Sequence, residues 1–276
     1  MSNLVGLLDE TRVVLRMSGK DARAVLQGVV TNNVDEVEPG RAVYAALLTP
    51  QGKFLFDFFL LADGDNLLID AEAGRQEDLS RRLKMYCLRR DAQVQEDADL
   101  RVMLAWPGEG GSHHPPPPPS PGQGAIAVPD PRDPALGWRL YGAYLPELPV
   151  ASREAYDKLR VAHAVPETGR ELLAEETYIL EAGFERLNGV DFRKGCYVGQ
   201  EVTARMKHKT ELRKGLVVVD VDGVAPEGAE LIADGKPAGK LFTQAGGRGL
   251  AHLRFDRAKG PMAAGDAVVR YARPED

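Results

Sequence analysis

The stretch from Lys194 to Glu201, "KGCYVGQE", holds one of only two cysteines in a chain of 276 residues, set between two glycines and beside a lysine and a tyrosine. The thiolate is the reactive form of cysteine, and neighbouring cations or oriented backbone N–H groups favour it over the thiol. Gly195 and Gly199 allow backbone amides to approach a ligand or the sulfur closely. Tyr197 could stack on a flat ligand or pack the turn. The competing reading of Cys196 is a buried filler, but glycines and cations are poor company for a filler. A thiolate here can accept or pass a sulfur or a metal cluster, form a mixed disulfide, or act covalently on a one-carbon unit. His208 is the only histidine nearby in sequence, so no general base is assigned.

The ligand inventory is short. Cys87 and Cys196 exclude a disulfide framework and form no CxxC pair. The five histidines are scattered, two of them (His113 and His114) in a proline run, so local spacing assembles neither a zinc site nor a complete iron–sulfur ligand set. A cluster held at Cys196 would need ligands from other chains. From Arg193 to Lys214 there are seven lysines and arginines against two glutamates, in a chain of net charge -6. Such a run is either a solvated face or, next to a cysteine, part of a site. The overall negative charge argues against direct nucleic-acid binding as the main activity.

The elements that must hold this motif belong to a soluble α+β protein. Hydrophobic residues make up 43% and charged residues 28%, and the length suits two or three packed units. No stretch approaches the roughly 18 apolar residues of a membrane span, and the N-terminus lacks a basic region followed by a long apolar one. These features predict a cytoplasmic protein with no membrane association. "TRVVLRMSG" reads as a strand, and "KDARAVLQGVVTNN" as an amphipathic helix with Ala22, Val25, Leu26, Val29 and Val30 on one face. "RAVYAALLTPQGKFLFDFFLLADGDNLLIDAE" is three apolar runs joined by turns at "TPQG" and "DGDN", an antiparallel meander. "RQEDLSRRLKMYCLRR" places Leu79, Leu83, Tyr86 and Cys87 on one helical face, which makes Cys87 a buried small hydrophobe. Residues 107–124 hold seven of the nineteen prolines and five glycines and read as an exposed loop. "SREAYDKLRVAHAV" is a helix capped by Ser152, with Tyr156, Leu159 and a half-buried His163 on one face. From Lys214 onward, short β-rich runs with glycine turns suggest a small barrel or sandwich.

Several of these stretches carry a family resemblance. "LLDETRVVLRMSGKDARAVLQGVVTNNV", "AALLTPQGKFLFDFFL", "RRLKMYCLRRDAQV", "DPRDPALGWRLY" and above all "NGVDFRKGCYVGQEVTAR" resemble the YgfZ-type folate-binding proteins, relatives of the glycine-cleavage T-protein, an aminomethyltransferase. The resemblance runs over nearly the whole chain. It implies a T-protein-like folate-binding body of two similar subdomains plus a small C-terminal β-barrel. On this basis residues 1–106 are the first subdomain, 107–124 the Pro/Gly-rich loop, 125–212 the second subdomain and 213–276 the barrel. T-proteins characteristically have Gly-Gly and Asp-Asp where this chain has Gly52-Lys53 and Phe56-Asp57, and they generally lack the cysteine. The chain thus resembles the assembly-factor branch more than the aminomethyltransferases.

What the resemblance implies for function is a folate-binding accessory protein in iron–sulfur cluster assembly or repair, affecting tRNA methylthiolation and other cluster enzymes indirectly. Its cofactor would be tetrahydrofolate or a derivative, and its partners iron–sulfur assembly factors or cluster-containing client enzymes. The alternatives are a tetrahydrofolate-dependent aminomethyltransferase and a scaffold whose folate site has decayed. By resemblance, Glu181 of "LEAG" is the pterin-contacting acid, since a carboxylate accepts both N–H donors of the aminopyrimidinone edge. Asp57 aligns with the acid near the reactive end of folate. Arg205 or Lys207 suits the anionic glutamate tail, Lys194 and Tyr197 flank the ligand, and Cys196 is the reacting group.

Overall fold

The computed structural model describes residues 4–108, 119, 124–209 and 211–272. Most of the Pro/Gly-rich loop expected at 107–124 therefore lies outside the described residues. In chain order, β1 (Leu4–Leu8) and β2 (Arg12–Ser18) lead to a short α1 (Ala22–Gln27). Then come β3 (Val43–Leu48), β4 (Phe54–Asp63) and β5 (Asn66–Glu72), followed by α2 (Gln76–Tyr86). Next are β6 (Gln93–Glu96), β7 (Arg101–Pro107), β8 (Ile126–Pro129) and β9 (Trp138–Gly142). The helices α3 (Arg153–Ala162) and α4 (Gln200–Lys209) precede six strands: β10 (Lys214–Asp222), β11 (Ala229–Ala233), β12 (Lys236–Ala245), β13 (Arg248–Arg254), β14 (Met262–Ala264) and β15 (Ala267–Arg270).

Two compact units result, and they cut across the boundaries expected from sequence. The first comprises Met1–Ala151 with Glu185–Gln200, and the second Ser152–Phe184 with Glu201–Asp276. In the first, the expected meander forms the heart of a five-stranded antiparallel sheet of order β3-β4-β5-β2-β6. Its turn closes by the Gly52 N–H donating to the Thr49 carbonyl at 2.8 Å, as "TPQG" requires. Side chains alternate across this sheet. Val43, Ala45, Leu47, Phe58 and Leu60 face a core shared with α1 and α2, while Tyr44, Asp57 and Phe59 are buried on the opposite side. A second sheet has the order β1-β7-β9-β8. The α1 helix is shorter than its apolar pattern suggests, because Gly28 caps it and Val29 and Val30 enter the core as irregular chain.

The two sheets of the first unit are joined by an ionic cluster. Arg139 of β9 donates to Asp70 of β5 at 2.6 Å, Arg12 donates to the other oxygen of Asp70 at 2.6 Å, and Asp130 accepts from Arg132 and Arg139. The guanidinium carbons of Arg12, Arg132 and Arg139 lie 5.5, 4.8 and 3.9 Å from the Phe59 ring centroid. Burial alone would raise the Asp70 carboxyl, but Arg12 and Arg139 outweigh it and hold the pKa below the usual range.

In the second unit the six C-terminal strands close into a barrel of order β10-β13-β12-β11-β14-β15 around Leu231, Leu241, Leu253 and Val269. The Ser152 hydroxyl caps α3 as expected, accepting from the Ala155 N–H at 3.1 Å. One face of α3 is less apolar than its pattern suggests. Arg160 is fully buried, donating to Glu171 at 3.0 Å and to the Thr243 hydroxyl of β12.

Candidate functional site

The segment leading to Cys196 is irregular chain fixed by polar anchors on the loop that follows α1. Thr31 donates its hydroxyl to the Gly189 carbonyl at 2.7 Å, Asn32 donates to the Asn188 carbonyl at 2.7 Å, and the Asp191 N–H donates to the Thr31 carbonyl at 3.1 Å. The Asp191 carboxylate accepts from the Arg193 N–H. Lys194 turns its side chain inward, where Nζ donates to the carbonyls of Val30 at 2.6 Å and Asn32 at 2.7 Å. Its ammonium is thus engaged with backbone, rather than directed at a ligand as expected from sequence. Burial lowers the Lys194 pKa to about 8, while Asp191 and Asp35 act in the opposite sense.

Tyr197 is 7% exposed, with the Lys194 Nζ 5.5 Å from its ring centroid. Of the two roles open to it, the structure has it packing the turn. The two glycines of the motif differ. Gly199 has φ +83, and a Cβ placed there would lie 2.6 Å from the Thr49 carbonyl oxygen, against the meander turn. Gly195 has open space around it. Cys196 remains exposed between these fixed neighbours, whereas Cys87 is buried in the core and burial pushes its thiol pKa up. Among the described residues, no group of three or more His, Cys, Asp and Glu side chains is arranged to hold a metal.

The remaining predicted residues fall into two groups by unit. Asp57 belongs to the first unit, is 4% exposed, and accepts from the Tyr44 hydroxyl at 2.9 Å. Burial, with Asp57 alongside, pushes the Tyr44 pKa well up, so the hydroxyl stays a donor to the carboxylate. Glu181 and Arg205 belong to the second unit. Arg205 is exposed on α4 and donates to Glu201 one turn earlier at 2.9 Å. Glu181 is fixed at both ends: its carbonyl accepts from the Leu216 N–H at 2.7 Å, and Oε2 lies 3.1 Å from Nε2 of His252 on β13. Both side chains line a cavity of about 350 Å³, together with Lys214, Lys240, Phe242 and Arg254.

That cavity is the observation on which folate can be tested against this chain. Its volume is at the lower end of small-molecule sites, it has an aromatic wall at Phe242, and it sets Glu181, with Glu171, Glu176 and Glu230, against Lys214, Lys240, Arg254 and Arg257. Such carboxylates can accept from an N–H-rich ring edge, and such cations can meet an anionic group. Sequence reasoning missed His252, Tyr44 and the Thr31–Asn32 anchor. Only the anchor had a local signal, the polar "TNN" that breaks an apolar run.

Comparison with known proteins agrees with this architecture. Residues 1–108 match the GCVT N-terminal domain family, and residues 213–276 match the family described as CAF17, C-terminal beta-barrel domain. The iron–sulfur cluster assembly factor IBA57, mitochondrial, of Homo sapiens is 32% identical over 91% of this chain and 78% of its own length. Its Mus musculus counterpart is 31% identical over the same shares, and the homolog from Chaetomium globosum is 32% identical over 82% of this chain and 59% of its own length. A crystal structure of the glycine cleavage system aminomethyltransferase T from Bartonella henselae superposes with a TM-score of 0.72, at 13% identity, over 97% of this chain and 84% of that one. The fold is therefore the expected T-protein-like α+β body with a closed C-terminal barrel. The cytoplasmic placement is corrected, because these assembly factors are mitochondrial by name. Scarce cysteines and the lack of a long apolar run report on redox conditions and membrane insertion, and neither selects a compartment.

Proposed function

This chain belongs to the IBA57 family of iron–sulfur cluster assembly factors, and we infer that it works by lending the Cys196 thiolate to a cluster or sulfur shared with a partner chain. The observation that carries this reading is the exposed thiol of Cys196 on a backbone held by Lys194, Tyr197 and Gly199. A cluster needs several ligands, and one cysteine supplies one. The others would come from an assembly factor or a client enzyme. On binding, the thiol releases its proton to solvent and the sulfur becomes a ligand. No step of this kind requires a general base beside it.

Folate binding is the second part of the reading, and the cavity at Glu181 supports it. There Glu181 would hold the pterin edge while His252 fixes the carboxylate, and the cations along the cavity would meet the glutamate tail. Tetrahydrofolate, when bound, supplies a carrier for one-carbon units. Phe56 in place of an acid argues against aminomethyl transfer as the activity. The narrower YgfZ-type assignment, and with it an indirect effect on tRNA methylthiolation, rests on the match of the Lys194–Glu201 motif.

Two measurements separate the parts. Cys196→Ser should leave the melting temperature and tetrahydrofolate affinity nearly unchanged, yet abolish complementation of a strain lacking the family member, read by cluster-enzyme activity. Iodoacetamide should label Cys196 much faster than Cys87 in the native protein. A variant that still complements would refute the thiolate role. Glu181→Ala removes charged hydrogen bonds worth about 1.5–3 kcal/mol each, so calorimetry should find tetrahydrofolate binding weakened at least about tenfold. Unchanged affinity would refute the role of Glu181.

A further inference from the structure

In the second unit, the cavity at Glu181 is lined by a single histidine, His252. It stands on β13 directly opposite Leu216 of β10 on one side and Lys240 of β12 on the other. Its Nε2 lies 3.1 Å from Glu181 Oε2. A carboxylate only accepts hydrogen bonds, so Nε2 carries the proton of the neutral ring and Nδ1 is an acceptor. Among the described residues Nδ1 has no hydrogen-bond partner, and the side chain is 32% exposed. Histidine is also the side chain whose charge changes between about pH 5 and 8.

The fixed charges around this ring cancel. Glu171, Glu176, Glu181 and Glu230 line the cavity against Lys214, Lys240, Arg254 and Arg257. Behind them Arg160 meets Glu171 and Asp256 meets Arg254, one further charge of each sign. While the imidazole is neutral, this balance favours neither an anionic nor a cationic ligand. A proton on Nδ1 gives the cavity one net positive charge. Glu181 favours that proton, and Lys240 across the strand pair opposes it. Glu230, directly opposite Lys240 on β11, offsets Lys240 in turn. The charge of the ring is therefore open to decision by whatever occupies the cavity.

We propose that His252 is the specificity-determining residue of this cavity, taking up a proton at Nδ1 when an anionic group binds and donating it to that group in a charge-assisted hydrogen bond. The proton comes from solvent and adds to the Nδ1 lone pair, and no other covalent bond is made or broken. Nε2 keeps its bond to Glu181 throughout, so one ring ties the carboxylate of the protein to the anion of the ligand. The proposal rests on the folate reading for the identity of the ligand, whose anionic group is then a carboxylate of the glutamate tail. A ligand that brings a proton with it binds more tightly as pH falls through the histidine range.

Calorimetry on the full chain with tetrahydrofolate tests this. The Kd should fall at least about threefold from about pH 8 to pH 6, and titrations in two buffers of unlike ionisation heat should reveal proton uptake. His252→Gln keeps a donor for Glu181 but has no proton to gain, so it should show neither the pH dependence nor the uptake. A tetrahydropterin without the glutamate tail should bind with no uptake. Should His252→Gln fail to fold, the ring resonances of His252 in the wild type must move toward the charged form when tetrahydrofolate is added. The tail alone, p-aminobenzoylglutamate, separates this proposal from the folate reading. If tetrahydrofolate binds at no pH but the tail binds with uptake that His252→Gln removes, the folate reading fails and this one stands. The proposal is overturned by an affinity that is flat or falls toward pH 6, by uptake that survives His252→Gln, or by equal uptake with the tetrahydropterin. Ring resonances that stay unmoved, or no binding of either tail-bearing compound at about 1 mM, overturn it equally.

Discussion

Lys194→Met tests whether the segment carrying Cys196 is held from within. In the folded chain Nζ donates two short bonds, to the carbonyls of Val30 and Asn32. Hydrogen bonds from a charged donor contribute about 1.5–3 kcal/mol each. Methionine fills similar space and leaves both carbonyls without that donor, while relieving the burial of a charge, so the net loss should be about 1.5–3 kcal/mol at neutral pH. Urea denaturation followed by circular dichroism measures it as a lowered midpoint at constant slope. The pH dependence supplies a second reading. The folded chain releases the Lys194 proton near pH 8, whereas the unfolded chain holds it to about 10.5. The unfolded state thus binds more protons across that window, and the wild-type stability contains a term that grows as pH rises through it. This term is absent from the variant, so the gap between the two proteins should be constant below about pH 8 and widen toward 10.5. A variant within about 0.5 kcal/mol of wild type, or a gap that narrows with rising pH, would refute the anchoring role.

Gly199→Ala should destabilise the first unit by about 2–4 kcal/mol, because φ is +83 and the new Cβ meets the Thr49 carbonyl. Gly195→Ala, with open space around it, should stay within about 0.5 kcal/mol; equal effects in thermal melts would mean that the two glycines are not distinguished as described. In the second unit, Glu171→Ala removes the fully buried carboxylate that pairs with Arg160, while Asp157 and Glu167 still face its Nε, and should cost about 1.5–3 kcal/mol. The double variant Arg160→Met, Glu171→Leu should recover most of that loss, and a double variant as unstable as the single one would locate the defect in packing instead.

The sequence by itself determined those features whose cause is local. Continuous apolar runs separated by "TPQG" and "DGDN" specify a meander, because a strand buried on both faces and a turn with glycine at the right position are nearest-neighbour properties. Ser152 marks the start of α3, and the glycine-punctuated runs after Lys214 mark the barrel. The singular placement of Cys196 among glycines and cations was also legible, since it needs only composition and order. Tertiary structure decided the partners. Arg160 looks like a solvated helix residue and Asp70 interrupts an apolar strand, yet each is fully buried against a charge more than ten residues away in sequence, Asp70 against Arg139 and Arg160 against Glu171 in addition to Asp157 of its own helix. Lys194 reads as a ligand cation next to a cysteine, but folding brings the carbonyls of Val30 and Asn32 to it across more than 160 residues. Likewise His252 finds Glu181 from 71 residues away. Periodicity reports which face of an element is apolar, but an isolated polar side chain carries no record of what it will meet. That meeting is fixed by how the chain closes on itself, where the cost of burying a charge alone makes the pairing obligatory.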